Sequence, residues 1–254
     1  MKIYFVHSYN FEDILREKHV PIIVSYARLR RLEVPKGFLE IMVDSGGYQL
    51  QRDTGVRDIY LNAYAHWLNY TLPIHPEIKY YFNLDIWQNG EQTLENQMKM
   101  EEKGLHPLPI WHSGTPIEFL NYYCTHYDYI AIGGIANVRN KANLRSLCTW
   151  LFQTYPNTKF HLLGIGLSGI RTFKSFRPCS IDFSTWITPA RFGHSIEPDE
   201  EDLLKEIVLS REIRDELRKD KELERKYISE AIDRIKNLEI DVEDFNEPYQ
   251  KILF

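Results

Sequence analysis

The sequence predicts an α/β protein built as a (β/α)8 TIM barrel with a C-terminal helical extension, and three observations predict it. Short apolar, β-rich runs recur eight times between Lys2 and Phe183 and alternate with segments of helical periodicity, the pattern of a parallel sheet faced by helices. Strands three to eight each end on a polar residue or a glycine: Asp44, Asp85, His112, Gly133-Gly134, Gly164 with Gly166, and Asp182. A barrel brings such ends to one mouth, where its active sites sit. The alternative, a doubly wound sheet, calls for a glycine-rich phosphate turn after the first strand, and none is present there.

In order, the strands are expected at Lys2 to His7, Pro21 to Ser25, Ile41 to Val43, Tyr80 to Leu84, Leu108 to Trp111, Tyr129 to Ile132, Phe160 to Leu163 and Ser180 to Phe183. Helices are expected over Phe11–Lys18, Asp58–Leu72, Glu91–Lys103, Pro116–His126 and Lys141–Tyr155, with a short one reaching Phe176. Arg28 to Leu39 is a basic, irregular connector. The helix from Asp58 places Tyr60, Tyr64, Trp67 and Leu68 on one face, the spacing of a side turned to a core. Beyond Pro189-Ala190-Arg191-Phe192-Gly193 the composition changes. Asp199 to Leu238 is rich in Glu, Lys, Arg, Leu and Ile and reads as one or two long helices, with Leu204, Ile207, Val208 and Ile213 as docking residues. The division expected is a catalytic barrel over residues 1–196 and an acidic helical extension over 197–254.

With 254 residues, 43% hydrophobic and 26% charged, the chain has the composition of an ordinary globular protein. No apolar run approaches the roughly 20 residues that cross a bilayer. The first residues read as a strand rather than a signal peptide, and Cys124, Cys148 and Cys179 form no Cys-x-x-Cys pair. A cytoplasmic location follows as the expectation, the host cytoplasm if the chain is phage-encoded. The net charge of −5 is uneven. From Glu197 onward there are 19 acids against 11 Lys and Arg, whereas the preceding residues hold 20 bases against 17 acids. A mildly basic body permits nucleic-acid binding without demanding it.

The chemistry is concentrated in Val43-Asp44-Ser45-Gly46-Gly47-Tyr48-Gln49 and Ser180-Ile181-Asp182-Phe183-Ser184-Thr185-Trp186. Adjacent glycines let backbone approach a ligand closely, yet a plain turn needs neither that Asp, that Tyr nor that Gln. Each acid taken singly also reads as a helix N-cap or a loop acceptor. Three carboxylates on three strand ends, with aromatic and glycine neighbours, suit a flat, hydrogen-bonding ligand. Two carboxylates beside a sugar's anomeric carbon divide the work between attack and proton handling. A third accepts from a purine's N–H edge, and an aromatic face stacks the base.

Asp44-Ser45-Gly46-Gly47-Tyr48-Gln49, Ile132-Gly133-Gly134-Ile135, Leu162-Leu163-Gly164-Ile165-Gly166 and Ser180-Ile181-Asp182, in that order, resemble the tRNA-guanine transglycosylase superfamily over roughly residues 2–193. Ser180 to Trp186 and the missing zinc motif look more like the phage and bacterial branch that inserts 7-deazaguanines into DNA. The resemblance implies a barrel that exchanges guanine without cutting the strand. On it, Asp182 matches the nucleophile that attacks C1′ and Asp44 the general acid/base. Asp85 matches the reader of the purine N1 and amino edge. Gly133, Gly134 and Ile135 match the backbone approaching the base, Tyr48 and Leu163 the residues that sandwich it, and Ser45, Gly46, Gly47, Gln49 and Gly164 complete the substrate-binding set.

There are departures. No Cys-x-Cys-x-x-Cys…His zinc site exists, and the family's Gln after strand five is replaced by Trp111-His112. His112 reads either as a donor to a purine O6 or a nitrile, or as a structural histidine bonded to backbone. For the nucleic-acid backbone the candidates are Arg28, Arg30 and Arg31; Arg139, Lys141 and Arg145; Arg171, Lys174 and Arg177; and Arg191. The three clusters read also as ordinary solvated helix charges, while Arg191, closing the Pro189-Ala190-Arg191-Phe192-Gly193 turn just past the eighth strand, is the first choice for a single phosphate contact. Trp186 and Phe192 read either as wedges beside an extruded nucleotide or as core.

The function expected is exchange of guanine in a polynucleotide, DNA favoured and tRNA possible, for a 7-deazaguanine such as preQ0, with no metal or organic cofactor. The partners are the polynucleotide, the incoming base, and a homodimer copy or accessory protein, with no membrane. The alternatives are a tRNA-acting enzyme of reduced architecture, a hydrolase releasing free base, and a non-catalytic nucleic-acid- or partner-binding barrel.

Overall fold

A computed structural model describes residues 1–47, 57–135, 141–170, 178–199 and 204–243. Eight strands, β1 (Lys2–Val6), β2 (Ile22–Ser25), β3 (Ile41–Asp44), β4 (Ile78–Tyr81), β5 (Ile110–His112), β6 (Tyr129–Gly133), β7 (Lys159–Leu162) and β8 (Ser180–Phe183), form one curled sheet. Every pairing in it is parallel, in the order β4-β3-β2-β1-β8-β7-β6-β5. The end strands are linked by one parallel bridge, Phe82 to Leu108. There the Leu108 N–H donates to the Tyr81 carbonyl at 2.8 Å and the Asn83 N–H to the Leu108 carbonyl at 3.0 Å. Neighbours in sequence are neighbours in the sheet, with β1 also beside β8, an order that a doubly wound sheet does not give.

Between strands run α1 (Glu12–Glu17), α2 (Arg57–Thr71), α3 (Gly90–Glu101), α4 (Ile117–His126), α5 (Lys141–Thr154) and α6 (Leu167–Ile170), while the connector after β2 is made of short 3-10 turns. Because side chains alternate along a strand, the sheet sorts its apolar residues into two sets. Ile3, Phe5, Ile22, Val24, Ile41, Val43, Ile130, Ile132, Phe160 and Leu162 face the helices in the main core. Tyr4, Ile23, Met42, Phe82, Ile110 and Ala131 pack together inside the curl. On α2, Tyr64, Leu68 and Trp67 are buried as expected, and Trp67 donates to the Leu32 carbonyl at 2.9 Å.

Two expectations are corrected. The fourth strand lies at Ile78–Tyr81, not Tyr80 to Leu84, so Asp85 stands beyond the ladder in a segment held by side chains. The Asn96 amide donates to the Leu84 carbonyl at 2.8 Å and Thr93 Oγ1 accepts the Ile86 N–H at 2.9 Å. The C-terminal region is also not wholly helical. After α7 (Thr188–Phe192), β9 (His194–Pro198) and β10 (Leu204–Val208) form an antiparallel hairpin that straddles the expected boundary at residue 196. The charged Lys205-Glu206 pair masks the strand in the sequence, while backbone pairing to β9 and the β-branched Ile207 and Val208 favour it. Of the expected docking residues only Leu204 is buried; Val208 is 61% exposed. The docking falls instead to α9 (Lys221–Glu243), which follows α8 (Arg211–Leu217) and buries Ile228, Ala231, Ile232 and Ile235 in the main core. Lys18–Asp233 at 2.5 Å and an Arg225–Asp13 pair tie α9 to α1. Among the described residues no helix is long and apolar enough to cross a membrane.

Candidate active site

The inward alternation that buries Met42 also turns Asp44 inward at the end of β3, beside its register partner Ser25 at the end of β2. On β8, Ser180 and Asp182 share the inner face, and Asp182 lies opposite Tyr4. Asp182 is 9% exposed, and its Oδ1 accepts the Gly164 N–H at 2.6 Å. Gly164 has φ +69, and this positive φ turns its amide back toward β8.

Asp85 reaches the same mouth. Its Oδ1 accepts from Ser45 Oγ at 3.3 Å and its Oδ2 lies 2.9 Å from His112 Nε2. The structure corrects one of the two readings of His112: the ring is bonded to a carboxylate, not to backbone, and it is buried with its centre 5.1 Å from that of Trp87. Gly133 gives it room, since a Cβ there would lie 2.4 Å from His112 Cδ2. Gly47 does the same for Asp85, where a Cβ would meet the Asp85 carbonyl at 2.3 Å. Gly47→Ala is expected to push Asp85 out of the mouth. We expect a stability loss of about 1–3 kcal/mol by urea unfolding, and ligand affinity at the mouth to fall with it. An unchanged unfolding midpoint would show that the loop moves freely.

Electrostatics separate the acids. Burial, then the neighbouring Asp85 charge, raise the Asp44 carboxyl to about 6; the Gly46 amide and Ser25 hydroxyl partly offset this, and Asp182 adds to the rise. At neutral pH Asp44 therefore exchanges a proton readily, as a general acid/base must. Burial and the Asp44 charge keep the Tyr60 phenol protonated, and it donates to the Ser45 carbonyl at 2.6 Å, anchoring the loop.

The remaining candidates fall variously. Gly133 is buried, Gly134 has φ +76, and the Ile135 side chain is buried in the outer core, leaving only its backbone to face a ligand. Leu163 is half-buried at the inner rim. Trp186 is not a wedge. It is fully buried, with Nε1 donating to the Val6 carbonyl at 3.2 Å, because the turn after β8 folds under the first strand. Phe192 is 61% exposed. Arg191 is exposed and lines a separate small cleft with Arg214 and Arg218. Arg28 and Arg30 line a cleft of about 390 Å³ with His7, Tyr9 and Ser25, the last of which is the register partner of Asp44. Arg30 lies over the Tyr9 ring at 4.5 Å, and a neighbouring cleft adds Arg16, Arg31 and Lys36. Lys141 begins α5 and Arg145 is exposed on it. Tyr48, Gln49, Arg139, Arg171, Lys174 and Arg177 lie outside the described residues. Sequence reasoning missed Trp87 and His161. Trp87 follows Asp85 by two residues, the one signal that could have flagged it.

No family model matches the chain, and no curated protein matches it.

Proposed function

We propose that the sheet is a closed (β/α)8 barrel and that the chain is a pentosyltransferase of the tRNA-guanine transglycosylase type. In this reading it exchanges guanine in a polynucleotide, DNA favoured, for a 7-deazaguanine such as preQ0. One observation carries it: three inward carboxylates at one mouth in three different environments. Asp182 is held by a backbone N–H, Asp85 is paired with an imidazole, and Asp44 has its carboxyl raised to about 6.

In the first step an Asp182 oxygen bonds to C1′ as the C1′–N9 bond breaks, and Asp44 gives its proton to the departing guanine. In the second, the incoming base bonds to C1′ through N9, its proton passes to Asp44, and the C1′–Asp182 bond breaks. Both steps balance without metal, redox change or water. Asp85 and His112 meet the purine edge, the carboxylate accepting N–H and the imidazole answering an oxygen or nitrile. The basic cleft formed by Arg28 and Arg30, which Ser25 joins to the end of β3, suits the adjoining phosphates and supports a polynucleotide rather than a free nucleoside. The setting proposed is cytoplasmic.

The test is incubation of purified protein with labelled preQ0 and, in separate tubes, duplex DNA and tRNA. Label entering DNA supports the reading, and label entering only tRNA moves the substrate to tRNA. Free guanine released without label uptake would make the protein a hydrolase. No reaction with either polymer would leave a binding barrel.

A further inference from the structure

His161 is fully buried inside the curl, next to Tyr4 at 6.1 Å and Phe82 at 5.3 Å between ring centres. Its Nδ1 lies 2.5 Å from Ser180 Oγ, which lies 2.5 Å from the Tyr129 hydroxyl. Its Nε2 makes no hydrogen bond of ordinary geometry and lies 3.5 Å from Asp182 Oδ1. A buried imidazole nitrogen aimed at a carboxylate is costly unless it carries a hydrogen, because a lone pair there would face the oxygen's own.

We propose that His161 is a positioning residue for Asp182, fixed in its Nε2–H form by Ser180 and Tyr129. This rests on the transglycosylase reading of Asp182. Burial keeps the Tyr129 phenol protonated, and we take it as the donor in its 2.5 Å contact with Ser180. Tyr129 O–H donates to Ser180 Oγ, Ser180 O–H donates to Nδ1, and the hydrogen is left on Nε2. The bond made by one ring nitrogen sets the state of the other. Among the described residues, the Gly164 N–H and the His161 Nε2–H then both address Oδ1. Oδ2 is thereby turned to the reacting carbon. At 3.5 Å the contact is long, and the hydrogen bond is expected to tighten as the carboxylate settles on C1′.

The experiment uses the full chain and three variants, His161→Leu, His161→Gln and Ser180→Ala, with unfolding midpoints confirming that each folds. Gln is chosen because its amide N–H reaches the place of Nε2–H. Formation of the covalent adduct on guanine-containing polynucleotide is timed in a single turnover, and kcat and KM for the incoming base are separated. His161→Leu is expected to slow adduct formation by about 10–100-fold, with KM nearly unchanged. Gln restores most of the rate, and Ser180→Ala falls between. Nitrogen-15 spectra of labelled histidine, with His161 assigned by its loss in the variants, are expected to show hydrogen on Nε2. Equal adduct rates in wild type and His161→Leu, failure of Gln to rescue, or hydrogen on Nδ1 would overturn the role while leaving the transglycosylase reading intact. A wild type that forms no adduct removes that reading, and this role with it.

Discussion

Asp182→Ala is expected to abolish the denaturant-resistant protein–nucleic acid adduct and to lower base exchange by about 10⁴-fold or more, the scale of losing a covalent nucleophile. The side chain is nearly buried, and the Gly164 N–H at 2.6 Å loses its acceptor when the carboxylate goes. Some stability loss is therefore expected alongside the chemical one. Asp182→Asn separates the two. Its amide oxygen still accepts from Gly164, so its unfolding midpoint stays near wild type, yet it cannot form the ester. Adduct formed at the wild-type rate by either variant would remove Asp182 from the chemistry.

Asp44→Asn is expected to cost about 10²–10⁴-fold in exchange and yet make the protein more stable at alkaline pH. The sign follows from linkage. The folded carboxyl sits at about 6 against a usual 3.8, so between these values the folded chain holds more protons than the unfolded one. Wild-type stability therefore falls as pH rises through that window. Above it, the ionised acid, starved of water and facing Asp85, holds the fold down by about 1–3 kcal/mol. Asn carries no charge and escapes the penalty. Urea midpoints compared at pH 3.5 and pH 8 check this, with the variant's advantage expected only at pH 8. An equal difference at both values would refute the origin assigned to it.

Much of this site is legible in the chain itself. Apolar runs bounded by polar or glycine residues locate the sheet because a strand buried on both faces has no other way to be written. Asp44, Asp182 and His112 close such runs and do arrive at one mouth. What the chain hides is whatever depends on partners far along it. Asp85 is found, but its strand is shifted, because Asn83 and Leu84 look like ladder residues while the Asn83 amide donates to the Thr93 carbonyl and the Leu84 carbonyl accepts from Asn96 of α3. β10 is concealed by Lys205 and Glu206, whose side chains stand in solvent while their backbone pairs with β9. His161 is one histidine in a short strand. Only the pairing of β7 with β8, which sets His161 against Ser180, gives it meaning.

The link between β4 and β5 has a mechanical consequence. Elsewhere the curled sheet is stitched by continuous ladders, but between its two end strands the backbone offers a single bridge at Phe82 and Leu108. Above it, on opposite banks, stand Asp85 and His112, joined at 2.9 Å. The pair assigned to a ligand's edge is thus also a clasp over the weakest stitch. Separating the two side chains would leave the backbone bridge at Phe82 and Leu108 to hold the two edges of the sheet without them.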